Sequence, residues 1–309
     1  MLSLILLSYY SGDRIRIAYR KLSELLALEQ IPFELIVIDD GSKDNSYAIA
    51  LQLEKEYSNV KAYQLSKNFT SHYGIFAGLQ VCEGDCAMPI PDDEQQPYNT
   101  IVDMYRLWQQ GEKIIIPYRI KRNDGLFNNM FANFYYKTIS ALSEIKFPEG
   151  GADLFFIDRE VIDIINTRIH AINTSSILEV LRLGYNPHYY AYERVKGVNT
   201  ASRWTLKKKI RLFKDTFFSS STLPVKVISY LGLLFSVFAL AIIAFYSYIR
   251  FFGNPDFWGK TLPGWTATVV IISFFSGLTL FSLGIIAEYI WRIYEEVKNR
   301  PGYIIKKKA

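Results

Sequence analysis

Apolar residues fall into three rhythms along this chain. Short, almost wholly apolar runs, Leu2–Leu7 with Ser3 inside it, Ile36–Ile38, Cys86–Ile90 and Leu154–Ile157, have the length and continuity of strands buried on both faces. Between them, apolar positions recur at helical spacing in Arg14–Leu28, Ser46–Tyr57, Gly74–Val81 and Thr100–Gln110. Shorter strands are expected over Val60–Leu65, Lys113–Pro117 and Tyr189–Val195, and further helices over Asn128–Leu142 and Ser175–Leu183. Strand alternating with helix predicts an α/β domain with a mostly parallel sheet. Met1–Leu7 is too short and too poor in basic residues for a signal peptide, and reads as the first strand.

The third rhythm is different in kind. Val227–Ile249 and Trp265–Ala287 carry no charged residue, and each is long enough to cross a hydrocarbon core of roughly 30 Å as a helix. The preceding stretch from Ser202 to Ser221 mixes lysine and arginine with Trp204, Ile210, Phe213, Phe217 and Phe218, the pattern of an interfacial helix. The resulting division is an α/β domain at 1–200, a juxtamembrane helix at 201–224, a transmembrane hairpin at 225–290 with spans near 226–250 and 265–288, and a basic tail at 291–309.

Charge adds an orientation. Lys207, Lys208, Lys209, Arg211 and Lys214 precede the first span, and Arg292, Lys298, Arg300, Lys306, Lys307 and Lys308 follow the second; the connection between them offers Arg250 and Lys260. The positive-inside rule puts both flanks in the cytoplasm, as expected for an inner- or plasma-membrane protein with cytoplasmic termini and α/β domain. The formal charge of +5 suits anionic headgroups and phosphorylated ligands. No recognition motif accompanies the basic residues, so nucleic acid is not an expected partner. Cys82 and Cys86 have neither zinc nor redox spacing and read as reduced thiols.

Candidate chemistry sits where the buried strands stop. The run Ile36–Ile38 ends in Asp39, Asp40, Gly41 and Ser42, and Cys86–Ile90 ends in Pro91, Asp92, Asp93, Glu94, Gln95 and Gln96. Open α/β sheets bind ligands beyond the carboxyl ends of their strands, so these acids are placed to meet something. Asp39 and Asp40 could equally form the turn into the next helix. The second acidic end suits a hard cation such as Mg²⁺ or Mn²⁺, or simply a solvated turn. Arg119, Lys121 and Arg122 follow a strand and could meet phosphates or line a loop. Asp153, after Gly150-Gly151, could serve as a general base or cap a turn.

The order of these motifs resembles the inverting family 2 glycosyltransferases. It rests on Ile-Asp-Asp-Gly-Ser-Lys-Asp at 38–44, Ser-Lys-Asn-Phe at 66–69, Asp-Asp-Glu-Gln-Gln-Pro at 92–97 and Asp-Leu-Phe-Phe-Ile-Asp-Arg at 153–159. Ala-Ser-Arg-Trp at 201–204, Leu-Gly-Ile-Ile-Ala-Glu-Tyr at 283–289 and Lys-Asn-Arg-Pro-Gly-Tyr at 298–303 extend it to the polyprenyl-phosphate branch, which includes dolichol-phosphate mannose synthase. The resemblance implies a GT-A fold of Rossmann-like topology, a nucleotide-sugar donor, a divalent metal, Mg²⁺ or Mn²⁺, and a membrane lipid phosphate as acceptor. It assigns Tyr9, Asp39, Asp40, Lys67, Asp92 and Gln95 to the nucleotide-sugar and Asp93 to the metal. Arg119, Arg122 and Arg203 fall on basic positions near phosphates, and Asp153 on the proposed base. Pro91 stands where the first aspartate of the metal motif is usual.

Two other readings accompany this one: a transferase that extends a lipid-linked saccharide or surface glycan, and a membrane scaffold with a degenerate nucleotide site. The aromatic-rich domain and two-helix anchor leave apolar surface for association into a homo-oligomer.

Overall fold

A computed structural model describes residues 1–119, 152, 154–172, 174–193, 228, 230–235, 237, 241, 264–298 and 300–306. The chain forms two compact units, Met1–Ser220 with Arg300–Ala309, and Ser221–Asn299.

The first unit is built on a seven-stranded sheet. Its elements are β1 (Leu2–Ser8), α1 (Arg14–Leu28), β2 (Phe33–Asp39), α2 (Ser46–Glu56), β3 (Val60–Gln64), α3 (Ser71–Val81), β4 (Cys86–Pro91), α4 (Asn99–Gln109), β5 (Ile114–Arg119), β6 (Phe156–Asp158), α5 (Arg159–Arg168), α6 (Ser176–Arg182) and β7 (His188–Tyr192). The strand order is β3-β2-β1-β4-β6-β5-β7. β1 to β4 run parallel, β6 lies antiparallel between β4 and β5, and β5 pairs parallel with β7.

Alternation along β1 explains why the run Leu2–Leu7 is apolar on both faces except for the buried Ser3. Leu2, Leu4 and Leu6 point into a core shared with Ile15, Leu22 and Leu26 of α1, Ile49 and Leu53 of α2, and Ile101 and Met104 of α4. Ile5 points the other way, with Ile36 and Ile38, into a core built with Ile75, Phe76 and Leu79 of α3, Val161, Ile162 and Ile165 of α5, and Ile177 and Val180 of α6. Each fully buried aliphatic side chain contributes about 1.5–3 kcal/mol, and helices cover both sheet faces.

A polar cluster fixes the amino edge. The buried Glu34 accepts from the Ser3 hydroxyl at 2.6 Å and from the Glu83 and Gly84 amides at 2.6 and 3.1 Å, and pairs with Lys61 at 3.2 Å. At the same edge Asp158 caps α5 through the Glu160 amide and accepts from the Trp108 indole at 2.7 Å. Arg159 donates to the carbonyl of Gly84 at 2.8 Å.

After the second unit the chain returns to the first. Residues 303–306 run along the open side of β3: Leu65 and Ile305 form an antiparallel bridge, the Ser66 amide donates to the Ile304 carbonyl at 2.9 Å, and the Lys306 amide donates to the Gln64 carbonyl at 2.8 Å. Tyr303 and Ile305 pack against the second core, and burial pushes the Tyr303 phenol up to about 12. Backbone groups at the carboxyl end of this edge, Gln64–Ser66, are thereby paired.

In the second unit, residues 228, 230–235, 237 and 241 are helical, and α7 runs from Gly264 to Val297, past the apolar run to the aromatic pair Trp291 and Tyr294. Its 34 residues span about 51 Å. The segment Phe274–Val297 is long and apolar enough to cross a membrane, with none of its hydrophobic window buried. Ile272, Phe274, Leu280, Phe281 and Ile290 are exposed along this helix. The remainder of the first expected span and the expected interfacial helix at 201–224 lie outside the described residues.

Candidate active site

The strand order reverses at β1: β2 and β3 extend to one side and β4 to the other, so the crevice between the carboxyl ends of β1 and β4 is a topological switch point. Pairing registers bring Ser8 beside Asp39 and Leu7 beside Pro91. Three loops therefore meet there, 9–12 after β1, 40–45 after β2 and 92–98 after β4.

Hydrogen bonds tie the three together. The Tyr10 amide donates to the Ser42 hydroxyl at 2.9 Å and the Gly12 amide to the Ser46 hydroxyl at 2.9 Å. The Ser11 hydroxyl donates to Asp92 at 2.5 Å, and Arg14 donates to the same carboxylate oxygen through Nε and Nη2 at 3.0 and 2.6 Å. Tyr9 and Tyr10 stand edge to face at 4.6 Å, with Tyr10 exposed beside the crevice.

The two acids after β2 face opposite ways. Asp39 is fully buried: one oxygen accepts from the Ser42 hydroxyl at 2.5 Å, the other from the Ser42 amide at 3.0 Å and from Gln64 Nε2 at 2.8 Å. Asp40 is also buried and accepts from the amides of Phe69 and Thr70 at 2.6 and 3.0 Å. It thus holds the loop that carries Lys67, whose ammonium lies 4.9 Å from the Phe69 ring centre. Gly41 makes the close approach of these loops feasible. It adopts φ +70°, and a Cβ there would stand 2.6 Å from the carbonyl carbon of Lys67.

In the β4 loop, Asp92 belongs to Arg14 and Ser11, Glu94 pairs with Lys21 at 2.5 Å, and Asp93 accepts from the Gln95 amide at 3.3 Å. Among the described residues no group of three or more His, Cys, Asp or Glu side chains is arranged to hold an ion. A Mg²⁺ ion bound through one carboxylate and a substrate's phosphates needs no such group, and a donor set centred on Asp93 fits that mode. Arg119 ends β5 on the same sheet edge, with only β6 between β5 and β4, about 10 Å away, and its Nε lies 3.4 Å from the Tyr192 hydroxyl.

The structure therefore gathers Tyr9, Asp39, Asp40, Lys67, Asp92, Asp93 and Gln95 around one crevice, with Arg119 farther along the edge. Asp153, Arg122 and Arg203 lie outside the described residues. Arg14 and Gln64 are additions that spacing could not supply, since their partners are distant in sequence, and Ser42 of the strand-end turn gains a role as the partner of both Asp39 oxygens. The buried thiols of Cys82 and Cys86 are pushed up by desolvation, as suits inert core cysteines.

The family model described as glycosyl transferase family 2 matches residues 3–165. An uncharacterized glycosyltransferase of Synechocystis is 30% identical over 305 residues, covering 98% of this chain and 94% of its own. A bactoprenol glucosyl transferase derived from the SfII prophage of Shigella flexneri is 30% identical over 311 residues, covering 99% of this chain and 97% of its own. Among solved structures, glucosyl-3-phosphoglycerate synthase from Mycobacterium tuberculosis in complex with Mn²⁺, uridine diphosphate and phosphoglyceric acid is 16% identical, with a TM-score of 0.48, covering 69% of this chain and 75% of its own.

Proposed function

The chain belongs to glycosyl transferase family 2, and on that premise we propose that it transfers a sugar, with inversion, from a nucleotide-sugar to a polyprenyl phosphate at the cytoplasmic face of a membrane. The observation that carries this reading is similarity along essentially the whole chain, apolar helix included, to a bactoprenol glucosyl transferase. The crevice at the β1–β4 switch point is the site that such a reaction needs.

In this mechanism the loops after β1 and β2 hold the nucleoside, with Tyr9 and Tyr10 offering aromatic surface and Asp39 a fixed carboxylate. Lys67 and Arg119 supply positive charge toward the phosphates. A phosphate oxygen of the lipid attacks the anomeric carbon from the face opposite the diphosphate. The new C–O bond forms as the bond to the diphosphate breaks, and the nucleoside diphosphate leaves with the electron pair. A phosphate monoester is already anionic at neutral pH, so no proton has to be removed first, and Asp153 orients the acceptor or sugar. Asp93 would hold a divalent cation, which supplies charge neutralisation at the departing diphosphate. The lipid acceptor suits a chain with an exposed, membrane-length helix.

The test is release of nucleoside diphosphate by the purified full chain in detergent, over UDP-, GDP- and dTDP-sugars with Mg²⁺ or Mn²⁺, with and without polyprenyl phosphate. Release requiring both metal and lipid phosphate, and falling at least about 100-fold in Asp93→Asn, is the expected result. Release with a lipid-linked saccharide alone would identify an extending enzyme, and none with any donor a scaffold.

A further inference from the structure

We propose that the returning segment at 303–306 completes the nucleoside end of the donor site, with Lys306 and Gln64 as positioning residues for Asp39. The inference rests on the reading of the Asp39 strand end as the nucleoside site.

Gln64 is the link. Its amide nitrogen donates to Asp39 at 2.8 Å and reaches the Ser42 carbonyl at 3.4 Å, while its amide oxygen accepts from Lys306 Nζ at 2.9 Å. The Lys306 amide holds the Gln64 carbonyl, and the Leu65 amide donates to the Asp39 carbonyl at 2.8 Å. A carboxamide has two nearly isosteric ends of opposite character. With its oxygen engaged by an ammonium, only the nitrogen can face Asp39. Without Lys306 that oxygen loses its cation, and the carboxamide is held only by its nitrogen's bonds to Asp39 and the Ser42 carbonyl, so its position against the carboxylate loosens. One of the three donors to Asp39 is thereby weakened, at the oxygen that also receives the Ser42 amide, while the Ser42 hydroxyl, which receives the Tyr10 amide, keeps its bond to the other oxygen. A sequence-distant segment thus helps to hold Gln64 against the carboxylate of the nucleoside end.

The segment is seated by shape as well as by hydrogen bonds. Tyr303 donates to Gln80 at 2.9 Å, and a Cβ on Gly302 would stand 1.8 Å from the carbonyl oxygen of Ala171. Any side chain at 302 must therefore displace the segment or its support, which provides a second perturbation remote from Gln64.

Calorimetric titration of the full chain in detergent with UDP, GDP and dTDP tests the inference, alongside donor KM and kcat. One hydrogen bond at a partly exposed position predicts that Lys306→Met raises Kd and donor KM by about 2- to 10-fold with kcat within about twofold. Gly302→Ala is expected to raise Kd at least as much, and Lys306→Arg to restore it. Wild-type binding with unchanged Kd in both Lys306→Met and Gly302→Ala overturns the inference and leaves the nucleotide site standing. Loss of kcat and melting temperature without a specific rise in Kd also overturns it, since the segment would then be structural only. A wild type that binds no nucleoside diphosphate overturns the site reading and the inference together.

Discussion

Asp40→Asn separates two roles that a carboxylate at this strand end could have. In the structure both Asp40 oxygens face inward, accepting the Phe69 amide at 2.6 Å and the Thr70 amide at 3.0 Å. Asparagine retains one oxygen and turns an NH₂ group toward the other amide, so one partly buried donor loses its acceptor and the other loses charge assistance. Charge-assisted bonds contribute about 1.5–3 kcal/mol, and an unsatisfied buried donor costs about 1–3 kcal/mol, so local opening of residues 66–70 should become easier by about 2–4 kcal/mol. Hydrogen exchange followed by mass spectrometry on the full chain reads this directly: peptides covering 66–70 should exchange about 30- to 700-fold faster. Donor KM should rise with it, because Lys67 rides on that loop. Exchange within about threefold of wild type would refute the loop-holding role.

At the opposite edge of the sheet, Glu34→Gln should lower the melting temperature by about 2–10 °C without changing donor KM. Burial raises the Glu34 carboxyl, but the Ser3 hydroxyl, the Glu83 amide and Lys61 together outweigh it, so the folded value lies below the ordinary 4.5. Its contribution is therefore present above pH 4.5 and lost as pH falls through the lower folded value. Wild type should show this acid-side loss and the variant a flatter profile in a melting series across that range. Gly41→Ala must either abandon φ +70° or push back the Lys67 backbone, at about 1–3 kcal/mol. Thermal denaturation should show the loss and steady-state kinetics a raised donor KM; a variant matching wild type in both would contradict the close approach of the two loops.

Local signals carried much of the fold. Leu2–Leu7 and Cys86–Ile90 announce buried strands because a strand covered on both faces has no reason to alternate, and the stops at Asp39 and Asp92 mark where the sheet meets its crevice. The direction of β6 was not legible: three residues, Phe156–Asp158, contain nothing that distinguishes an antiparallel insertion from another parallel strand. Partnerships across the crevice were hidden for a related reason. Arg14 reads as an ordinary helix-start residue until β4 brings Asp92 to it from 78 positions away. The return of residues 303–306 to β3 was the least legible feature, because lysines at a chain's basic end resemble a solvated tail and the pairing with Gln64 spans 242 positions. Within the site, sequence marks Asp39 and Asp40 alike, whereas their partners distinguish them. One is locked by Ser42 and Gln64 and the other holds a neighbouring loop.

The central claim is the identity of the acceptor atom, and the product lipid reports it. Purified full-chain protein would be incubated with the donor that supports turnover and with polyprenyl phosphate, and the lipid extract analysed by mass spectrometry and by NMR of the anomeric proton. The expected product is a polyprenyl phosphate carrying one sugar in a phosphodiester linkage, with anomeric configuration opposite to that of the donor. A sugar found instead on a saccharide hydroxyl, or a product retaining the donor's configuration, would contradict it.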